Sequence, residues 1–121
     1  MITSWHIYHV KNCRHTNPPK SKYIAIVCFH PNPHGFLINS KISAFIKKRK
    51  ELLASQVLIT SKRYGFLGHD SYIDCGRLFS FRKSELSGVQ AIQNNTKNEI
   101  KSIVSTSKLI EPVYKELICG K

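Results

Sequence analysis

The amino-acid sequence predicts a single, mainly β domain spanning residues 1–121, in which short strands form a small, strongly bent barrel over about residues 1–83 and a helical part follows over about residues 84–121. Runs of aromatic and β-branched residues alternate with turn residues through the first two thirds of the chain. After Phe81 the apolar spacing changes from two to about 3.6 residues. A chain of 121 residues is also long enough to bury one core without disulfides or metal.

Four apolar runs are predicted as strands of the barrel. Trp5–Val10 is the first, rich in aromatic and β-branched residues. Tyr23–Phe29 is apolar throughout, which is typical of a central strand buried on both faces. Phe36–Ser40 follows a turn that contains two prolines, and Gln56–Ser61 follows a basic segment.

Two carboxylates lie inside the β-prone stretch His69–Phe81, where an unpaired charge is unfavourable. Ser71–Cys75 is predicted as a core strand, and Gly76 as a kink or bulge that produces either two short strands or one bent strand. We interpret Asp70 and Asp74 as partners that hold basic side chains in place, because isolated acids in this context fit that role better than catalysis.

Two cation-rich segments interrupt the strands. Lys11–Lys22 is polar and contains two adjacent prolines, which predicts a long exposed loop of the kind that carries binding and catalytic groups. Ile42–Ala54 contains four adjacent cations between apolar residues at helical spacing, which predicts a short basic helical insertion.

The end of the chain is predicted to be helical. Ser87 and Gln90 match a capping box, and the apolar residues that follow predict a helix of about 17 residues packed on the barrel. Ser105–Ser107 interrupts this pattern. Pro112 can occupy the first turn of a final short helix that ends near Ile118.

The positive charge of the chain is large and uneven. The formal net charge is +12, and residues 1–68 hold 11 Lys or Arg against one acid, whereas residues 69–121 hold 8 against 6. A small domain with this charge is typical of a protein with an anionic partner, so nucleic acid is the leading expectation and an acidic protein the second. A membrane surface ranks third because no basic amphipathic helix stands out. A solvated surface with no specific partner remains open.

The remaining composition predicts neither metal nor cofactor. The four cysteines form no Cys-x-x-Cys pair and are interpreted as buried free thiols. His30 and His34 lie beside a proline turn without a carboxylate or cysteine as third ligand. No apolar run reaches the length of a membrane span and the first residues do not resemble a signal peptide, so a soluble cytoplasmic protein is expected.

Five segments are similar, in their order along the chain, to segments of one known family. Trp5–Val10 is similar to the family's opening strand, and Asn12–His15 occurs where the family has Pro-Thr-Arg-Gly. Tyr23–Cys28 is similar to a Pro-Ala-Leu-Val-Val strand, and Phe36–Ser40 to a strand ending in Ile-Thr-Ser or Ile-Thr-Ala. Ser71–Leu78 is similar to a late segment in which a valine-rich strand precedes the C-terminal helix. The chain therefore resembles the PemK/MazF-like toxins of bacterial toxin–antitoxin systems, which are small SH3-like barrels.

The resemblance implies an endoribonuclease that cleaves single-stranded RNA without metal, acts as a homodimer and is neutralised by an antitoxin with an acidic segment. The family's catalytic Thr corresponds to Asn39, and Ser40 supplies a hydroxyl beside it. Arg14 is expected to bind the phosphate, because a guanidinium stays protonated and can bind two oxygens. His15 is expected to act as acid or base, and Ser40 or Asn39 to hydrogen-bond the scissile phosphate. On sequence alone, the simpler expectation is that Asn39 and Ser40 only begin a turn or cap the next helix.

Eight further cations are expected to contact RNA: Lys11, Lys20, Lys22, Lys47, Lys48, Arg49, Lys62 and Arg63. Two other functions explain the same charge. One is a nucleic-acid-binding barrel without catalysis, and the other is a basic module that docks an acidic partner protein.

Overall fold

The computed structural model describes residues 1–120, which contain a six-stranded sheet and four helices. The strands are β1 His6–Cys13, β2 Lys20–Phe29, β3 Pro33–Asn39, β4 Gln56–Ile59, β5 Ser71–Ser80 and β6 Ser87–Ala91. The helices are α1 Ala44–Lys47, α2 Lys50–Leu53, α3 Asn94–Thr106 and α4 Pro112–Cys119, and a 3-10 turn spans Lys83–Glu85.

The six strands form one antiparallel sheet in the order β4-β5-β3-β2-β1-β6, curled into a half-barrel. The expectation of a mainly β fold with a helical C-terminal part is confirmed. Strand β2 lies in the middle of the sheet, as its apolar sequence predicts. Its Ile24 and Ile26 join the core on one face, whereas Ala25 and Val27 join the core on the other. Both faces of this strand are therefore buried.

The long strand β5 decides between the two predictions for the region around Gly76. Residues 71–80 form one continuous strand, whose pairing with β3 shifts register between Phe36 and Ile38. This irregularity bends the sheet without dividing the strand. The alternative of one bent strand is therefore the one observed.

Several predicted boundaries in the sheet are wrong, and at two of the turns the reason is that the strand ladders continue into polar sequence. Cys13 pairs with Lys20 past a bulge, so the expected loop Lys11–Lys22 is reduced to residues 14–19. Pro33 pairs with Phe29, so the following turn is only three residues long. Strands β3 and β4 end one and two residues earlier than predicted.

The expected capping box at Ser87 is not a helix start. Ser87–Ala91 is strand β6, which pairs with β1 through partners such as Gln90 and Ile7. The edge of β1 presents backbone donors and acceptors that need partners, and this pairing outweighs local helix signals. The helix begins only at Asn94, with Gln93 at its N-cap, and has 13 residues. The boundary between the sheet and the helical part therefore lies after Ala91.

The basic insertion is helical only in two short pieces. Ser43 caps α1 by accepting a hydrogen bond from the backbone N–H of Ile46. Arg49 has an extended backbone, with φ −120° and ψ 108°, and separates α1 from α2. One helix was expected over Ile42–Ala54, but the segment forms two short helices instead.

Helices α3 and α4 cover one face of the sheet. Ile100, Val104 and Ile118 are buried in the core on that face. Pro112 lies in the first turn of α4, and Gly120 ends this helix in a left-handed conformation with φ 74°, so the predicted final helix is confirmed. Among residues 1–120, no helix combines the length and apolar character needed to cross a membrane.

The cysteines are free thiols, and three of the four are buried, as expected. Burial raises the pKa of the Cys28 thiol to about 11. Burial also raises the pKa of Cys75 well above its ordinary value. Both groups therefore stay protonated at neutral pH, which suits a role in packing.

Candidate functional site

A cleft of about 330 Å³ opens where the loop between β1 and β2 approaches the end of β3 and the side of β5. We name it the His15 cleft. Four cations line it, together with three polar groups predicted from the sequence: Lys20, Lys22, Lys41, Arg77, His15, Asn39 and Ser40. No Asp or Glu side chain within residues 1–120 lines it. The cleft is therefore suited to an anion.

The His15 ring is held in the cleft on three sides. It stacks on Phe79 at 4.6 Å between ring centroids and meets the edge of Phe81 at 5.1 Å. Its Nε2 lies 2.8 Å from the carbonyl oxygen of Ser80. A carbonyl only accepts, so Nε2 must carry a proton and the neutral ring carries its lone pair on Nδ1. Packing and one hydrogen bond thus define both the orientation and the tautomer of the ring.

Lys22 and Asn39 form a pair across neighbouring strands. Lys22 Nζ donates a hydrogen bond of 2.6 Å to Asn39 Oδ1. Burial lowers the pKa of Lys22 below its ordinary value, and the adjacent charge of Lys20 lowers it further. The ammonium is therefore a stronger acid than an exposed lysine. Ser43, and neither Asn39 nor Ser40, caps the next helix, which leaves the predicted polar pair available to the cleft.

Arg77 lies on β5 and is anchored by a buried carboxylate. Its Nε donates a hydrogen bond of 2.9 Å to Asp74 Oδ2, and its Nη2 lies 2.8 Å from the same oxygen in an ion pair. The Asp74 side chain is 1% exposed, whereas the Arg77 side chain is 39% exposed. The other carboxylate oxygen of Asp74 accepts from Gln56 Nε2 and from the backbone of Gly76. Both oxygens of the buried Asp74 carboxylate therefore accept hydrogen bonds.

This arrangement confirms that Asp74 holds a basic side chain in place. The basic side chain is Arg77, three residues after Asp74 on the same strand. Asp70 instead accepts hydrogen bonds from the backbone and side chain of Ser61, so its expected role as an anchor for a base is wrong within residues 1–120.

Arg14 lies outside the lining of the His15 cleft, although it is adjacent in sequence to His15. Its Nη1 contacts Glu85 Oε1 at 2.9 Å, and its Nη2 donates to the Ser80 carbonyl at 3.1 Å. Both contacts link the first loop to the end of β5 and the turn after it. The guanidinium expected to bind phosphate is thus occupied by a carboxylate.

A second cleft of about 320 Å³ adjoins the first, and we name it the His69 cleft. Lys20, Lys22 and Ser40 line both clefts. The far wall of the second cleft includes His69 and Ser71, which precede and begin β5. The two clefts therefore form a groove with lysines at its centre.

The structure brings together five of the twelve predicted site residues. His15, Asn39, Ser40, Lys20 and Lys22 line the His15 cleft. The other seven lie outside both clefts: Arg14, Lys11, Lys47, Lys48, Arg49, Lys62 and Arg63. Arg49 covers the Phe45 ring, with its guanidinium carbon 3.7 Å from the ring centroid.

Two cations of the cleft were missed by sequence reasoning. Lys41 directly follows the polar pair at the end of β3, and its position after a strand end was an available signal. Arg77 follows Asp74 by three residues inside a β segment, a spacing at which side chains of an ideal strand point to opposite faces. Only the bend of β5 brings the two side chains together, so the sequence contained no clear signal for it.

The fold and the cleft together define a small antiparallel β protein with a basic groove. A comparison with models of known protein families and a search of curated proteins both find no match for this chain. Within residues 1–120, no three His, Cys, Asp or Glu side chains are grouped as a metal site. Its function is therefore argued from the groove itself.

Proposed function

We propose that this protein is a metal-independent endoribonuclease that cleaves single-stranded RNA, with the groove as its RNA-binding surface. The observation that supports it most directly is His15, whose tautomer is set by the Ser80 carbonyl inside a cleft lined by four cations. RNA is a polyanion that carries a hydroxyl able to attack its own phosphate. Cleavage of this kind needs only proton transfer and compensation of phosphoryl charge.

In this mechanism His15 is the general base. Nδ1 of the neutral ring accepts the proton of the ribose 2′-hydroxyl, and the 2′-oxygen attacks the adjacent phosphorus. Attack forms the 2′-oxygen–phosphorus bond and breaks the bond from phosphorus to the 5′-oxygen. The products are a 2′,3′-cyclic phosphate and a 5′-hydroxyl end.

Lys22 is the general acid for the leaving 5′-oxygen. Its lowered pKa makes the ammonium a better proton donor, and the hydrogen bond to Asn39 restrains its position. The hydroxyl of Ser40 can donate to a phosphoryl oxygen beside it. Lys20 and Lys41 add positive charge that favours the doubly charged phosphoryl group of the transition state.

Incubation of purified protein with a long RNA at neutral pH in the presence of a chelator tests this proposal. Wild-type protein is expected to cut single-stranded regions and leave cyclic phosphate ends. His15→Gln keeps a donor for the Ser80 carbonyl but cannot exchange protons, so its cleavage rate should fall by about a hundredfold or more.

His30→Gln is the matched control, since this exposed histidine does not line the groove. Its cleavage rate should equal that of wild type. Intact RNA after incubation with wild-type protein, or equal rates for the two histidine variants, would contradict the proposal.

We further propose the setting that the family resemblance implies: an SH3-like barrel that acts in the cytoplasm as the homodimeric toxin of a toxin–antitoxin pair. An antitoxin segment rich in Asp and Glu would complement the lysines of the groove and exclude RNA. Co-expression with an acidic protein encoded beside it should relieve growth arrest caused by the toxin. Unchanged growth on expression of the toxin alone would count against this setting.

A non-catalytic RNA-binding barrel is the second candidate. The observation in its favour is that Arg14 is paired with Glu85 and that Asn39 occupies the position of the family's catalytic Thr. A protein of this kind should bind RNA in a salt-sensitive way and should not cleave it. A basic module for an acidic protein would instead bind no oligonucleotide even at low salt.

A further inference from the structure

We propose that Arg77, positioned by the buried carboxylate of Asp74, is the residue that binds the scissile phosphate, in place of Arg14. This inference rests on the proposed function, because it names the phosphate-binding group of the same cleft. Arg14 and Arg77 have the same charge but differ in their location and in their partners.

The first argument is location. Arg77 lines the cleft that contains His15, Lys22 and Ser40, whereas Arg14 does not. A phosphate-binding group must reach the same phosphate as the groups that transfer protons, since positioning within the reacting geometry is a large part of catalysis.

The second argument is the partner of each guanidinium. Arg14 already donates through both terminal nitrogens, Nη1 to the Glu85 carboxylate and Nη2 to the Ser80 carbonyl, and these bonds hold it outside the lining of the His15 cleft. Arg77 faces Asp74 with Nε, which donates a hydrogen bond, and with Nη2, which forms the ion pair, and its Nη1 has no hydrogen-bond partner within residues 1–120. One terminal nitrogen is therefore free to donate to a phosphoryl oxygen.

The third argument is preorganisation. Asp74 is almost completely buried and is itself held by Gln56 and by the backbone of Gly76, so it cannot follow Arg77 into solvent. A long side chain fixed at its guanidinium loses less conformational entropy when it binds a ligand. Asp74 is thus a positioning residue for Arg77.

In the Arg77–Asp74 ion pair, it is the positive charge that faces the cleft, and an RNA phosphate requires a positive charge. Asp74 is 1% exposed and is not among the lining residues of the cleft, so Arg77 and not the carboxylate meets an anion that enters it. The Phe45 ring is also near Arg77, with its centroid 5.5 Å from the guanidinium carbon. The cation therefore has two neighbours, Asp74 and Phe45, and still lines the cleft.

The experiment compares Arg77→Gln with Arg14→Gln, two variants with the same change of charge. Cleavage of a single-stranded RNA is measured beside the binding of the matching 2′-O-methyl oligonucleotide, which lacks the attacking hydroxyl. Arg77→Gln should cut about a hundredfold more slowly and bind more weakly, whereas Arg14→Gln should stay close to wild type. Thermal unfolding of each variant shows that the assays are made on folded protein.

Arg77→Lys guards against a purely structural effect, because lysine keeps the charge opposite Asp74. Binding should be largely retained while cleavage falls, since an ammonium lacks the planar fork. In a double-mutant cycle, Asp74→Asn should slow cleavage by wild-type protein but have little further effect in Arg77→Gln. Fully additive losses would show that Asp74 does not act through Arg77.

Phosphate titration separates this inference from the proposed function. With 15N-labelled protein, inorganic phosphate should shift the Nε–H resonance of Arg77 and leave that of Arg14 in place. A shift without any RNA cleavage would leave the Arg77 site standing and overturn the endoribonuclease. Wild-type cleavage by folded Arg77→Gln, or loss of cleavage only in Arg14→Gln, would overturn the role of Arg77.

Discussion

At the scale of single residues, the groove differs from a general basic surface in how its side chains are held. Exposed cations such as Lys47 and Lys48 attract phosphate without a defined position. Lys22 and His15 each have a partner that restrains them, and these partners come from other strands. Proton transfer depends on such restraint, because it requires hydrogen-bond distances to the reacting atoms.

The pKa of Lys22 provides a direct test at this scale. Burial and the charge of Lys20 both lower it, so in a pH titration followed through lysine side-chain NMR signals Lys22 should lose its proton at a lower pH than exposed lysines. An anion bound nearby favours the ammonium, so a 2′-O-methyl oligonucleotide should raise the pKa again.

Replacing Lys20 by Met removes the neighbouring charge and leaves burial as the cause of the lowered pKa. The pKa of Lys22 should therefore rise toward its ordinary value. Lys48→Met is the control, since its side chain is exposed outside both clefts. A Lys22 signal that titrates together with the exposed lysines would show that burial does not perturb it.

At the scale of the elements, the hairpin of β2 and β3 aligns the central residues of the groove. Gly35 lies on β3 opposite Ile26, and a side chain there would run into the Ala25 carbonyl and the Ile26 side chain. The close approach of the two backbones thus depends on a missing Cβ. It maintains the register that brings Asn39 to Lys22.

Gly35→Ala is therefore expected to lower the free energy of unfolding by about 1–3 kcal/mol, because the added methyl overpacks the hairpin. Chemical denaturation measures the effect. Gly65→Ala is the control, since a Cβ there meets no atom within 4 Å. It should leave stability unchanged or raise it by about 0.4–1 kcal/mol through the unfolded state. Equal losses in the two variants would contradict the packing argument.

The start of α3 was predicted at Ser87, but this segment forms strand β6 and the helix begins at Asn94. Ser87 to Gln90 has the residues of a capping box, but β1 offers an unpaired edge in the folded sheet. Local capping contributes about 1 kcal/mol, and several ladder hydrogen bonds outweigh it. A local pattern cannot report a partner more than 70 residues away in the chain.

At the scale of the whole molecule, the fold concentrates part of a dispersed positive charge. The excess over residues 1–68 is spread over β1, β2 and the loop between them, the basic insertion and the turn after β4. The curled sheet collects Lys20, Lys22 and Lys41 and adds Arg77 from the second half of the chain. The basic groove therefore combines residues from both halves of the chain, although the first half carries most of the excess charge.

The affinity for single-stranded RNA should depend strongly on salt. If the four cations of the His15 cleft each neutralise a phosphate, log affinity plotted against log salt concentration should have a slope of about −3. Fluorescence anisotropy with a labelled 2′-O-methyl oligonucleotide measures it. Lys41→Met should make the slope less steep by about 0.7, since one phosphate contact is lost.

A substitution outside the groove, Lys62→Met, is the comparison. It should change affinity little and leave the slope unchanged. A slope near zero for wild-type protein would show that phosphate contacts do not drive binding, and equal changes for Lys41 and Lys62 would show that the charge acts without a defined groove.

The sequence by itself determined the features that depend on neighbouring residues: a mainly β fold, the burial of Tyr23–Phe29 and the final helix at Pro112. Apolar spacing and proline chemistry act over a few residues, so they can be recognised in one segment. The polar residues at the end of β3, which the family resemblance singled out, line the His15 cleft.

Only the tertiary structure decided which cations share a cleft. The first loop folds onto β5, the bend of β5 turns Arg77 toward Asp74, and Glu85 pairs with Arg14 outside the cleft. Each of these results depends on contacts between segments far apart in the chain or on a local irregularity of the sheet. Charge shows that a chain attracts anions, but the packing of strands determines where an anion can bind.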